Sequence, residues 1–280
     1  MKIILACVAL LAAAQAAPRL AEPQEFLPTV TPIGKASSGP SGNGRIVGGA
    51  LASRGQIPYQ ASLLIDSSSL CGGSLLSPQW VLTAAHCARS TSRVQVTLGG
   101  ISRDLNVADP DRVVVQSSRV IPHSSYSSLT LRNDILLIQL ATPVSLNQYI
   151  QPSQLATNGA LTYAGNTARV SGYGKTSQTS GASTVLKYVD VKVLSNAQCA
   201  LFYGNTIYSG SICTQEVNSA VIGNSCNGDS GGPLVDLATG QQIGVVSFGS
   251  SSGCESGDPK GLTRVTYFID WISSNTGLSF

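Results

Sequence analysis

Pro58-Tyr59-Gln60-Ala61-Ser62-Leu63-Leu64-Ile65 is apolar and partly alternating, the pattern of a β-strand. Working outward, the same kind of pattern recurs at Val94–Leu98 and at residues 113–115, 185–194 and 243–248. Residues 135–140 form a continuous apolar run of the buried type. Gly, Asn, Ser and Pro clusters punctuate these runs at short intervals. Many short strands separated by turn signals argue for a sandwich or barrel. Two stretches read as helical. One is residues 84–88, around His86. The other is the C-terminus, where Val265, Phe268, Ile269 and Ile272 fall at helical spacing and Gly277 ends the pattern.

Upstream, the composition changes. Lys2 gives a short basic start, residues 3–14 are an almost unbroken apolar run, and small residues follow at Ala14, Ala16 and Ala17. That order reads as a secretory signal peptide over 1–17. The run is too short to span a bilayer comfortably, and no later stretch reaches about 18 apolar residues. Residues 18–45 hold five prolines and a Ser/Gly stretch from Ser37 to Gly44. Such a segment buries little apolar surface. At its end Arg45 precedes Ile46-Val47-Gly48-Gly49, an accessible setting for proteolytic nicking. The expectation is a secreted, extracellular protein with a propeptide over 18–45 and a working domain over 46–280.

Charge excludes some classes. Of 17 basic and 14 acidic residues, four and two precede Ile46, which leaves a net of +1 for the rest. With no basic cluster, nucleic-acid binding is not supported. Of seven cysteines, Cys7 leaves with the signal peptide. The remaining Cys71, Cys87, Cys199, Cys213, Cys226 and Cys254 form an even set, which in an exported chain suggests disulfides. Six cysteines allow 15 connectivities. Without a CxxC pair and with two histidines in the chain, zinc is the weaker reading. No metal and no cofactor is expected.

Three polar residues sit in unusual settings: His86 in Leu82-Thr83-Ala84-Ala85-His86-Cys87, Asp134 at the head of Asp134-Ile135-Leu136-Leu137-Ile138, and Ser230 in Gly228-Asp229-Ser230-Gly231-Gly232-Pro233. Singly, each has an ordinary explanation as a core histidine, a turn acid or a loop serine. Together they supply what acyl transfer needs: a hydroxyl nucleophile, an imidazole base and a carboxylate that fixes the imidazole tautomer. The glycines beside Ser230 let the backbone turn sharply. The N–H groups of Gly228 and Ser230 then qualify as an oxyanion hole.

These motifs, with Arg45-Ile46-Val47-Gly48-Gly49 and Asn133-Asp134-Ile135, occur in the order found in the chymotrypsin-like serine peptidases. Residues 46–280 resemble that family throughout. In general style the chain is similar to arthropod digestive chymotrypsins and brachyurin-type collagenases. The resemblance implies an all-β fold of two six-stranded antiparallel β-barrels with a C-terminal α-helix. His86 and Asp134 would come from the first barrel and Ser230 from the second. It implies activation by cleavage after Arg45, the new Ile46 ammonium pairing with Asp229 to order the oxyanion loop and pocket. It implies the pairs Cys71–Cys87, Cys199–Cys213 and Cys226–Cys254. No cysteine lies in the propeptide, so cleavage should release it.

The same resemblance places Asn224, with Ser225 beside it, at the base of the substrate pocket. Asn224 carries no charge where trypsin-like enzymes have Asp, which argues against a basic preference. Ser247-Phe248-Gly249 matches the segment that pairs with substrate backbone, and Gly249 should leave the pocket open to a large side chain. Lys260 falls on the pocket wall. It either points inward and attracts acidic side chains, or snorkels to solvent with its stem inside, the reading favoured by the cost of an unpaired buried ammonium. Tyr173 is assigned to packing and His123 to a surface loop.

The expected function is a serine endopeptidase made as a zymogen, with chymotrypsin-like or broad specificity and a digestive role. The alternatives are a regulatory immune or clotting protease and an inactive homologue that serves as a binding protein. Expected partners are protein or peptide substrates, an activating trypsin-like protease and protein inhibitors. A monomer is expected, with no nucleic acid and no membrane.

Overall fold

The computed structural model describes residues 30–32, 36–37, 49–91, 93–217 and 223–280, the first two stretches by backbone pairing alone. The signal peptide, Arg45 and Ile46 lie outside the described residues. Three short strands come first: β1 (Val30–Pro32), β2 (Ala36–Ser37) and β3 (Ala50–Leu51). The first half continues with β4 (Gln60–Ile65), β5 (Ser69–Ser77), β6 (Trp80–Thr83), α1 (Ala85–Ala88), β7 (Val94–Leu98), β8 (Val113–Pro122) and β9 (Leu136–Leu140). The second half holds β10 (Thr167–Gly172), β11 (Lys187–Leu194), α2 (Asn196–Tyr203), β12 (Ser211–Glu216), β13 (Pro233–Asp236), β14 (Gln242–Ser250), β15 (Lys260–Arg264) and α3 (Ile269–Thr276).

Two rings close. In the first, β5-β4-β7-β8-β9-β6 is completed by pairing of β6 with β5. In the second, β14-β13-β10-β11-β12-β15 is completed by pairing of β15 with β14. Every described strand pair in both rings is antiparallel. These are the two six-stranded barrels that the resemblance implies. Closure removes the sheet edges that would otherwise expose unpaired backbone groups.

Each barrel has its own apolar core. Leu63, Val81, Val96, Ile135, Leu137 and Ile138 are among those filling the first, and α3 packs against it through Ile272 and Phe268. Val170, Val191, Ile212, Leu234, Ile243 and Leu262 fill the second. Full burial of a side chain of this kind contributes about 1.5–3 kcal/mol. Alternation is clear in β11, where Val189, Val191 and Val193 face inward and the intervening residues are partly or fully exposed.

The C-terminal helix begins later than the apolar spacing suggests. Residues 265–267 form a turn of 3₁₀ helix before α3, which ends at Gly277 with φ 72°. Helix α2 was not anticipated. Its signal is a capping box, with Ser195 Oγ accepting from the Gln198 N–H and the Gln198 side chain reaching back to the Ser195 N–H. His123 lies in the loop just after β8, partly buried, and its ring has packing partners there. Its ring packs edge-on to Phe268 at 5.5 Å and against Trp271 at 5.2 Å, tying β8 to the C-terminal helix. Tyr173 packs beneath the barrels as expected, and its hydroxyl donates to the Gly100 carbonyl at 3.0 Å.

Candidate active site

His86 and Asp134 are carried by the first barrel. The turn after β6 becomes α1 and holds His86; the residue two before β9 is Asp134. Asp134 is fully buried and satisfied on several sides. Its Oδ2 accepts from His86 Nδ1 at 2.7 Å and from Ser247 Oγ at 2.5 Å. Its Oδ1 accepts from the His86 backbone N–H at 2.8 Å, and its carbonyl accepts from Thr263 Oγ1 at 2.7 Å. Burial pushes this carboxyl up, but the His86 charge and the bonds from His86 and Ser247 outweigh it and hold the pKa below the usual range. The ring is thereby oriented with Nδ1 toward Asp134 and Nε2 away from it.

Ser230 comes from the second barrel, just before β13. The Cys87 sulfur lies 3.9 Å from His86 Nε2 and 3.6 Å from the Ser230 carbonyl oxygen. The Gly72 N–H donates to that same carbonyl at 2.7 Å. The Cys87 sulfur and the Gly72 N–H thus hold the Ser230 backbone against the first barrel, beside the segment that carries His86. Gly231 permits this approach. Its φ is 79°, and a Cβ there would fall 2.0 Å from Thr83 Oγ1 on the first barrel. The Asp229, Gly231 and Gly232 N–H groups are each taken by a backbone carbonyl, at Cys226, Val246 and Asp229, which fixes the course of the loop around Ser230.

Asp229 is buried behind this loop. Its carboxylate accepts from the Gly174 N–H at 2.8 Å and the Cys226 N–H at 2.9 Å. A Cβ on Gly174 would lie 2.5 Å from the carboxylate, so only glycine fits there. Burial raises the Asp229 pKa to about 7, against the lowering effect of the two N–H bonds. No ion pair involves it among the described residues.

Disulfides join Cys71 to Cys87, Cys199 to Cys213 and Cys226 to Cys254. The first braces the His86 turn against β5. Closing its 16-residue separation is worth roughly 3 kcal/mol in the chain-entropy model. The third ties the segment before Ser230 to the segment before β15.

Asn224 and Ser225 are buried beside that third disulfide. Asn224 Oδ1 accepts from the Ser225 N–H at 2.9 Å and from Thr214 Oγ1 at 3.4 Å. Two expectations about the pocket are corrected here. Lys260 does not snorkel, since it is 2% exposed and its ammonium donates to the Gly253 carbonyl at 3.1 Å. The space left by Gly249 is not open, because a Cβ there would meet Lys260 Cδ at 3.0 Å. Phe248 points away into packing against Tyr203, with ring centroids 5.4 Å apart. Ser247, expected from the resemblance to pair with substrate backbone, is found here as a donor to Asp134. Nothing local to residue 247 signals that bond, which crosses from one barrel to the other.

The trypsin family's sequence profile matches residues 46–272. Brachyurin of Leptuca pugilator is 41% identical over 235 residues, which cover 84% of this chain and all of that protein. Collagenase of Hypoderma lineatum is 39% identical over 244 residues, 85% of this chain and 89% of that one. A solved HL collagenase structure is 37% identical, superposes with a TM-score of 0.76, and covers 84% of this chain and 100% of its own. The chain belongs to the trypsin family and has the chymotrypsin-like fold. It is a serine endopeptidase, a hydrolase with brachyurin and Hypoderma collagenase among its relatives.

Proposed function

We propose that this chain is the secreted precursor of a digestive serine endopeptidase, activated by cleavage after Arg45 and working through Ser230, His86 and Asp134. The observation that carries the reading is the buried chain of contacts from Ser247 through Asp134 to His86 Nδ1, which leaves Nε2 as the ring nitrogen free of Asp134, with the Cys87 sulfur between it and the Ser230 backbone carbonyl. In this reading Ser230 Oγ attacks the peptide carbonyl. His86 takes its proton, then returns it to the leaving amine, and a water repeats the cycle on the acyl-enzyme. The Gly228 and Ser230 N–H groups hold the developing oxyanion, at about 3–4 kcal/mol for each donor. Homologous proteins named trypsin and collagenase support action on protein substrates. Secretion is supported by the leader over 1–17; no helix among the described residues is long and apolar enough to cross a membrane.

Asp229 supports the activation step. A carboxyl buried with two N–H donors and no cation among the described residues is poorly placed to ionise, and an arriving Ile46 ammonium would supply a charge there. Trypsin treatment of the full chain should produce an Ile46 N-terminus, stoichiometric labelling by a small organophosphonate, and peptidase activity. Arg45→Gln should stay inactive under the same treatment. Activity appearing in that variant would overturn the scheme.

A further inference from the structure

Lys260 on β15 stands opposite Thr214 on β12, so both side chains leave the sheet on one face. On that face Thr214 Oγ1 bonds to Asn224. On the other side the lysine stem runs past Gly249, whose added Cβ would lie 3.5 Å from Nζ. An ammonium has three N–H donors, and among the described residues this one has a single acceptor, the Gly253 carbonyl. No carboxylate lies within 4 Å of it among the described residues; Asp258 and Glu216 act on it only at longer range. Two more buried polar atoms in this region, Asn224 Nδ2 and Ser225 Oγ, have no hydrogen-bond partner among the described residues. Buried donors left unpaired around a cation are costly in the free enzyme, and a ligand carboxylate would satisfy them together.

We propose that this peptidase prefers Asp or Glu before the scissile bond, with Lys260 as the counter-charge and Asn224 and Ser225 as neutral donors. The inference rests on Ser230 being the nucleophile. The lysine stem takes the room a large aromatic side chain would need, and its charge repels Arg and Lys. The test is a peptide-library profile of trypsin-activated protein, counted beforehand by organophosphonate labelling. Acidic residues should exceed Phe, Leu and Arg in kcat/KM by at least about 10-fold, and Lys260→Met, which keeps the stem, should cut acidic cleavage by roughly 10²-fold. Lys260→Arg should retain the preference. Full labelling with an apolar or basic preference in the unsubstituted protein would overturn this inference and leave the peptidase reading intact. Failure to label would overturn both.

A separate observation concerns the propeptide. Strand β1 pairs antiparallel with β14, Val30 opposite Ser250, Thr31 opposite Gly249 and Pro32 opposite Phe248. Because Phe248 also pairs with Gly261, β1 lies on the other edge of β14, beyond the point where β13 leaves it at Val245. Strand β2 pairs Ala36 with Leu70 and Ser37 with Ser69 on β5. Both ladders lie on strands that also carry a residue bonded to a proposed catalytic residue. Phe248 follows Ser247, which bonds Asp134, and Leu70 is two residues from Gly72, which bonds the Ser230 carbonyl. We infer that residues 30–32 and 36–37 act as an intramolecular inhibitor, adding one strand to the second barrel and one to the first as an extended peptide ligand does.

Pro32 has no N–H, so it is tolerated only with its nitrogen facing away from β14, which turns the Thr31 N–H toward it. A synthetic peptide of residues 27–40 should therefore inhibit the activated enzyme competitively, raising apparent KM at constant kcat. Thr31→Pro in the peptide should weaken inhibition about 10-fold, the value of one ladder bond, and Val30→Pro should weaken it less. An active enzyme that ignores the peptide at millimolar concentration, or is inhibited without a change in KM, would overturn the inference.

Discussion

Two carboxylates, Asp134 and Asp229, are equally buried, yet they are held in opposite ways. Asp134 sits at the rim of the first barrel with an imidazole, a hydroxyl and a backbone N–H on its oxygens, and its pKa is pulled down. Asp229 sits at the base of the second barrel's loop with two N–H groups and no cation among the described residues, and its pKa rises to about 7. Desolvation acts on both in the same direction. The difference lies in whether a cationic group shares the site. Asp134 thus has its cationic partner in place, while Asp229 has none among the described residues, which is where the proposed activation step would supply one.

The largest test of that contrast removes the ionised partner of His86. Asp134→Asn keeps the volume but offers an amide where the ring needs an acceptor, so the imidazole loses its tautomer. kcat should fall about 10⁴-fold with the fold retained, the magnitude the handling of this triad class leads one to expect, checked by steady-state kinetics and circular dichroism. A fall of less than 10-fold would mean that the Asp134–His86 pair is not what drives the chemistry.

The second test reads Asp229 in the intact precursor. Below about pH 4 the carboxyl is protonated both folded and unfolded. Between there and about pH 7 the folded form keeps a proton that the unfolded chain gives up, so stability falls as pH rises through this window. At about 1.4 kcal/mol per pKa unit the loss is on the order of 4 kcal/mol. Asp134 runs the other way, contributing stability above its unfolded pKa that is lost as pH falls through its lowered folded value. Denaturant midpoints of the precursor between pH 4 and 8 should decline. Asp229→Asn should flatten the decline, and so should activation, if the Ile46 ammonium arrives as proposed.

The smallest test trims one bond. Ser247→Ala removes the second donor to Asp134 Oδ2, which is charge-assisted. About 2 kcal/mol of stability should go, with roughly a 10-fold fall in kcat/KM, while the His86 contact remains. Equal loss in Ser247→Ala and Asp134→Asn would show that the hydroxyl and the imidazole act as one unit.

The local patterns carried much of this architecture. Strands β7, β9, β11 and β14 lie where alternation or apolar runs placed them, because side chains on a barrel wall must face either core or solvent. Helix α2 was missed although Ser195 and Gln198 spell its cap, since its eight residues carry only two buried side chains and no strong apolar period. His86, Asp134 and Ser230 were legible because each stands in a short motif of its own. Their shared contacts were not, since Ser247 and Thr263 reach Asp134 from strands more than 100 positions away.

Read alone, the sequence carries a β-rich domain, the six cysteines that follow residue 46 and three residues of the types that acyl transfer needs. These follow from local order along the polymer, where periodicity and motif spacing are written directly. Only the folded molecule decides that Lys260 is buried, across the sheet from the Thr214 that bonds Asn224, and that residues 30–32 and 36–37 pair with strands of the two barrels. Burial and pairing of that kind depend on which distant strands become neighbours, and no window of sequence contains both partners.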